Sequence, residues 1–217
     1  MSSSDGAANT VRPVNWLAGS EAAGMFVLIM AYIWWLRFRY PYAWIPMLLL
    51  MFASHVRRRE TLAMLGFKWR FPLFARLSAA LALLALALLA LGLSFHSIRT
   101  VTLEGAFLSF LQYCLWGLFQ QYILNGYFVK RCSDFLPGRP SAVPLLAAGL
   151  FSLAHLPNWF LMLTTSAGGY ICARIYLRHR NLYFLGMAHA VIGFILYLVV
   201  PDTISHHMYV GPKWFSS

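Results

Sequence analysis

The sequence predicts an all-α polytopic membrane protein, a bundle of about six to eight transmembrane helices. Three observations carry this. First, 60% of the 217 residues are hydrophobic and 11% charged, with mean hydropathy +0.65, whereas soluble domains carry about 25% charged residues. Second, apolar runs recur at close to the roughly 20 residues that a helix needs to cross a bilayer. Third, the 17 Lys and Arg against 6 Asp and Glu sit mostly at the ends of those runs. The net charge of +11 therefore reads as a topology signal of the positive-inside kind, not as a footprint for nucleic acid.

Residues 16–36 form the first apolar span, with Glu21 near its start, where a solvated position is expected, and Trp34 and Trp35 at its interfacial end. Residues 43–54 are apolar but short, either a second span or a segment within one leaflet. The connection 55–76 is the most basic, with Arg57, Arg58, Arg59, Lys68 and Arg70; inside it, 61–67 reads as a short helix with its apolar face on the membrane. Residues 77–94, rich in Leu and Ala, form a third span whose role is packing. The span 106–128 ends at Lys130 and Arg131, and 132–140, with two prolines and a glycine, reads as a loop. Residues 142–163 form a span that Pro157 should loosen. Residues 166–176 contain Gly168 and Gly169, suited to close helix approach, and 182–200 form the last span. In the tail, His206 and His207 are expected in solvent and Trp214 with Lys213 as an interfacial anchor.

The organisation expected is a tail (1–15), a transmembrane hairpin with a basic cytoplasmic connection (16–105), a transmembrane core (106–200) and a second tail (201–217). The N-terminus has no convincing basic region or cleavage site, so no leader should be removed. Cys114, Cys132 and Cys172 form no CxxC and read as free thiols. Placing 57–76, 130–139 and 178–180 in the cytoplasm puts most basic residues inside. The protein is then a multi-pass component of a plasma or inner membrane.

Function is expected where polar groups interrupt apolar helices. Gln120 and Gln121 lie in the middle of span 106–128, and Asn125, four residues on, shares the face of Gln121. His155 and His189 each stand alone in an apolar run. An unpaired polar group in hydrocarbon costs several kcal/mol, so these side chains should turn inward and meet. From the basic loops, Gln120 and His189 fall at about the same depth, roughly 15 Å at 1.5 Å per residue, in a cavity opening to the cytoplasm.

The order and spacing of these residues resemble the CPBP family, the CAAX-protease and bacteriocin-processing group of glutamic-type intramembrane proteases. That family carries Glu-Glu-x-x-x-Arg, Phe-x-x-x-His and His-x-x-x-Asn, or a variant of it, on three transmembrane helices. Here Phe151 and His155 match the second motif and His189 opens the third, with Gly193 at its last position. Gln120 and Gln121 replace the glutamates and Asn125 the arginine. The resemblance implies a protease acting on membrane-anchored or lipidated peptides within the bilayer, with His155, His189, Gln120 and Gln121 in catalytic roles. Asn125, Phe151, Asn158 and Gly193 would support them; no metal ligand and no cofactor is assigned. The alternative is a non-catalytic relative that binds such peptides or scaffolds a membrane complex. A zinc protease would show His-Glu-x-x-His and a rhomboid-like enzyme Gly-x-Ser-Gly; neither is present.

Overall fold

A computed structural model describes residues 13–69 and 71–216, and all regular structure among them is helical. Arg70 and the N-terminal residues 1–12, on which the leader was judged, lie outside the described residues. Among the described residues seven helices build the bundle: α1 (Trp16–Arg39), α2 (Trp44–Arg57), α3 (Phe71–Ser94), α4 (103–135), α5 (Ala142–Leu153), α6 (Trp159–His179) and α7 (Leu182–Val199). Four of them start at a side chain that caps an orphan N–H group: Asn15 accepts from Ala18, Thr102 from Gly105, Asn158 from Leu161 and Asn181 from Phe184.

Among the described residues, α1, the stretch Phe74–Ser94 of α3, and α7 are each long and apolar enough to cross a membrane. The outer surface is apolar as well: Leu83, Leu86 and Leu93 on α3 and Leu103, Phe107 and Leu115 on α4 are exposed. Such a surface would drive aggregation in water and is neutral against lipid tails. The chain is an integral membrane protein.

One end of the bundle gathers the basic connections. Trp16 at the start of α1 packs edge-on against Phe135 at the end of α4, 5.4 Å between ring centres. The amide of Leu182 donates to the carbonyl of Gly66 (2.9 Å), and the Tyr176 hydroxyl to that of Leu65 (2.8 Å). At the other end Arg37 meets Val210 and Arg99 pairs with Asp202. The segment 43–54, which the sequence left between a span and a leaflet segment, lies in α2, whose residues 44–57 run back from this second end to the first. Their 14 residues cover about 21 Å, short of the ~30 Å hydrocarbon core.

The polar groups at the basic end form a buried cluster. Arg131 has no exposure and donates to both carboxylate oxygens of Glu60, at 3.0 and 2.9 Å, and to Ser54. Lys130 reaches the same carboxylate at 3.1 Å. Burial opposes ionisation of Glu60, but hydrogen bonds from His55 and Arg131 outweigh it and hold its carboxyl well below the usual range. Glu21, expected in solvent, instead pairs with Arg57, Arg58 and Arg131 and accepts from Ser54. It was misplaced because its partners lie more than 30 residues away in sequence. The cluster ties α1, α2 and α4 together.

Four other expectations are corrected. Residues 132–135 are helical, not loop, so α4 runs on to Phe135, helped by a Lys130–Asp134 pair one turn apart at 3.0 Å. The span expected over 142–163 breaks at 154–158, and 166–176 is no separate segment but part of α6. Pro157 has no N–H to continue the ladder, and Asn158 starts a new helix behind it. His206 is half-buried and packs on Trp214 with ring centres 3.7 Å apart.

Candidate functional site

The centre of α4 departs from α-helical winding. Residues Tyr122–Val129 form a π-helix in which all but Ile123 are buried. Wide turns of this kind are rare and often mark functional sites. Gln121 enters this stretch with 2% exposure, and Asn125 with none. The Asn125 amide donates to Gln121 Oε1 at 2.6 Å, so the two do share one face.

With its carbonyl occupied, Gln121 turns its Nε2 to His189 Nδ1, 3.1 Å away on α7. A nitrogen that accepts cannot carry the proton of a neutral ring, so His189 bears its hydrogen on Nε2. The contact depends on two glycines about one turn away. A Cβ on Gly117 would lie 2.8 Å from the Gly186 carbonyl oxygen, and one on Gly186 would lie 2.9 Å from Leu118 Cα. Backbone therefore touches backbone, and only glycine allows α4 and α7 to approach so closely.

His155 stands just beyond the end of α5. Its own N–H bonds to the Ser152 carbonyl, and its ring Nδ1 donates instead to the carbonyl of Phe151 at 2.7 Å. The side chain thus caps an orphan carbonyl of the last turn. The Phe151 ring meets the imidazole edge-on with centres 4.9 Å apart. Carbonyl oxygens only accept, so neutral His155 holds its proton on Nδ1 and leaves Nε2 as a free acceptor. These contacts assign the two histidines opposite tautomers, one presenting a lone pair at Nε2 and the other an N–H.

Gln120, Gln121, Phe151, His155, His189 and Gly193 line one cavity of about 470 Å³. A second chamber of about 210 Å³ shares Gln120, Phe151 and His155 with it. Neither is lined by Asp or Glu among the described residues. Asn125 lies behind Gln121 and orients it. Asn158 is directed elsewhere: fully buried, its amide donates to the carbonyls of Ser205 and Tyr209 and fastens the C-terminal segment. Gly193 is small because the Tyr113 ring takes the space of a side chain, 3.1 Å from where its Cβ would stand.

Several wall residues had no signal in the sequence. Tyr113 and Trp116 line the cavity from α4. Leu77 and Leu81 of α3, assigned to packing, form one side of the cavity, and Met208 and Val210 of the tail border it. The tail is tied in place by Arg37, which donates to the Val210 carbonyl (2.8 Å), and by Gly211, whose N–H donates to that of Leu156 (2.7 Å). Cys172 also lines the cavity and interacts with Gln121. All three cysteines are free thiols.

Residues 102–195 match the family model described as type II CAAX prenyl endopeptidase Rce1-like. The match covers α4 to most of α7, the segment that carries every residue of the three motifs. No curated protein and no solved structure gives a significant match to the chain.

Proposed function

We propose, from the CPBP membership that the match over residues 102–195 supports, that the chain is a CAAX-protease-like intramembrane endopeptidase cutting membrane-anchored or lipidated peptides in this cavity. The observation that carries the reading is the pair of contacts that His155 and His189 make at Nδ1, one to the Phe151 carbonyl and one to the Gln121 amide, which assign the two rings opposed tautomers on one cavity. A hydrolase of amides needs a base for water and a donor for the oxyanion, and these two rings supply one of each.

In this reading, water beside Gln120 gives its proton to Nε2 of His155 as its oxygen attacks the scissile carbonyl. The oxyanion that forms accepts from the Nε2–H of His189. Protonated His155 then returns the proton to the departing amine as the C–N bond breaks, leaving an acid and an amine. The carboxamides Gln120 and Gln121 cannot titrate; they position water and His189. Replacing a carboxylate base by imidazole fits a slower enzyme, since general-base catalysis is worth about 10²–10⁴-fold.

A second reading, a non-catalytic relative that holds such peptides, is favoured by the carboxamide pair standing where the family has glutamates. Restoring the carboxylates separates the two. In liposomes with a lipidated peptide, Gln120→Glu with Gln121→Glu should cleave faster than wild type if the cavity is hydrolytic. Specific binding without cleavage by either protein would favour the second reading, and absence of both would refute the two together.

A further inference from the structure

Arg37 borders the smaller chamber together with His155 and Gln120, yet no step above uses it. Its Nη2 donates to the Val210 carbonyl at 2.8 Å, its guanidinium carbon lies 4.8 Å from the face of Phe38, and the uncharged Tyr32 phenol is near enough to act on its charge. Its Nε is buried without a partner. The other arginines held in the packing are matched differently. Arg99, at the same end of the bundle, pairs with Asp202 through both terminal nitrogens, and Arg131 does so with Glu60. Among the described residues Arg37 has no carboxylate within ion-pair reach, and none lines the chamber.

A guanidinium in an apolar wall without a counter-ion is costly unless an anion comes to it. We propose that Arg37 receives the C-terminal carboxylate of the peptide that occupies this cavity, with the peptide's last side chains in the 210 Å³ chamber. The proposal rests on the reading of the cavity as a peptide site. The volume is that of roughly seven waters at about 30 Å³ each, room for a short apolar chain end. Met47, Met51, Leu48 and Ile123 supply apolar walls. Val210 of the C-terminal strap, held by Arg37 and by the neighbouring Gly211, walls the chamber on this side, and a walled end suits a chain terminus better than a chain running through. A carboxylate suits the site better than a phosphate: one planar fork matches its two oxygens, whereas a phosphate dianion calls for more than one cation.

The test is equilibrium binding to the full-length protein in neutral phosphatidylcholine nanodiscs. The probe is a fluorescent, S-farnesylated Cys-Val-Ile-Leu peptide, N-methylated at its scissile amide to prevent cutting. It is prepared with a free C-terminus and as the C-terminal amide. The acid should bind about tenfold or more tightly than the amide, as expected for a charge-assisted pair. Arg37→Gln should abolish the preference and Arg37→Lys keep part of it. Equal binding of acid and amide by the wild type overturns the proposal without recourse to any variant, as does a preference that survives Arg37→Gln. If phosphatidic acid doped into the nanodiscs displaces both peptides through Arg37 and the two bind alike, the site takes a lipid phosphate and the proposal fails. Because binding is read, a protein that discriminates acid from amide but never cleaves would refute the proposed function and leave this inference standing. Cleavage without discrimination would do the reverse.

Discussion

Gln121 and His189 are joined across α4 and α7 about one turn from the point where Gly117 and Gly186 bring the two backbones into contact. The hydrogen bond that sets the His189 tautomer thus follows from a packing event between two residues without side chains. Gly186→Leu should force the helices apart, with an overpacking cost of about 1–3 kcal/mol and loss of function in the cavity. Unfolding midpoints and peptide cleavage in liposomes measure both. A Gly186→Leu protein as stable and active as wild type would show that the close approach is dispensable.

Asn125 acts through Gln121. Removing its amide in Asn125→Leu leaves the Gln121 carbonyl buried without its partner, at about 1–3 kcal/mol, and frees the amide to turn. Nitrogen NMR of histidine-labelled protein should show His189 protonated at Nε2 and His155 at Nδ1 in the wild type. In Asn125→Leu the His189 signal should become a mixture of tautomers while His155 is unchanged. The same tautomer on both rings in the wild type would refute the assignment of roles.

The cluster around Glu60 makes stability depend on acid. The carboxyl is held below its free value of 4.5 in the folded protein, so the unfolded chain takes up the proton first. Its stabilising contribution is complete above about pH 4.5 and declines as pH falls below that value. Glu60→Gln should flatten this part of the stability profile between pH 5 and 3 (about the range of carboxylate titration), read from unfolding in detergent. A profile as steep as that of wild type would place the acid sensitivity elsewhere.

Asn158 holds the C-terminal segment by two hydrogen bonds while capping α6. Asn158→Ala should cost about 1 kcal/mol from the cap alone and expose the strap. Limited proteolysis should then cut within 201–216 faster than in wild type, with the helices still protected. Unchanged cutting would mean that Arg37 and Gly211 suffice to hold it.

Helix-forming segments and the polar residues of the site were legible because both follow from local chemistry. An amide or imidazole in an apolar run is costly wherever the chain goes, so Gln121 and His189 advertised that they needed partners. Nothing local announced that Gly117 and Gly186 would meet, or that α4 would widen into a π-helix at Tyr122. Proline at 157 marked a break, but its place was set by His155 turning its ring onto Phe151 and by Asn158 capping the next helix. Asn158 and Glu21 were misjudged for one reason: their partners, Ser205 and Arg131, are brought near only by the tertiary fold. Residues 132–135 looked like loop from Pro137, Gly138 and Pro140 just beyond them, yet the Lys130–Asp134 pair carries the helix one turn further.

In the proposed hydrolysis His155, which lines the same cavity as His189, takes the proton from water. Mass spectrometry of products from purified protein in liposomes, given a library of farnesylated and membrane-anchored peptides, tests it most directly. Wild type should release fragments from a defined bond with one solvent oxygen in the new carboxylate, and His155→Ala should lower that rate by about 10²-fold or more. Cleavage that persists unchanged in His155→Ala would contradict the account.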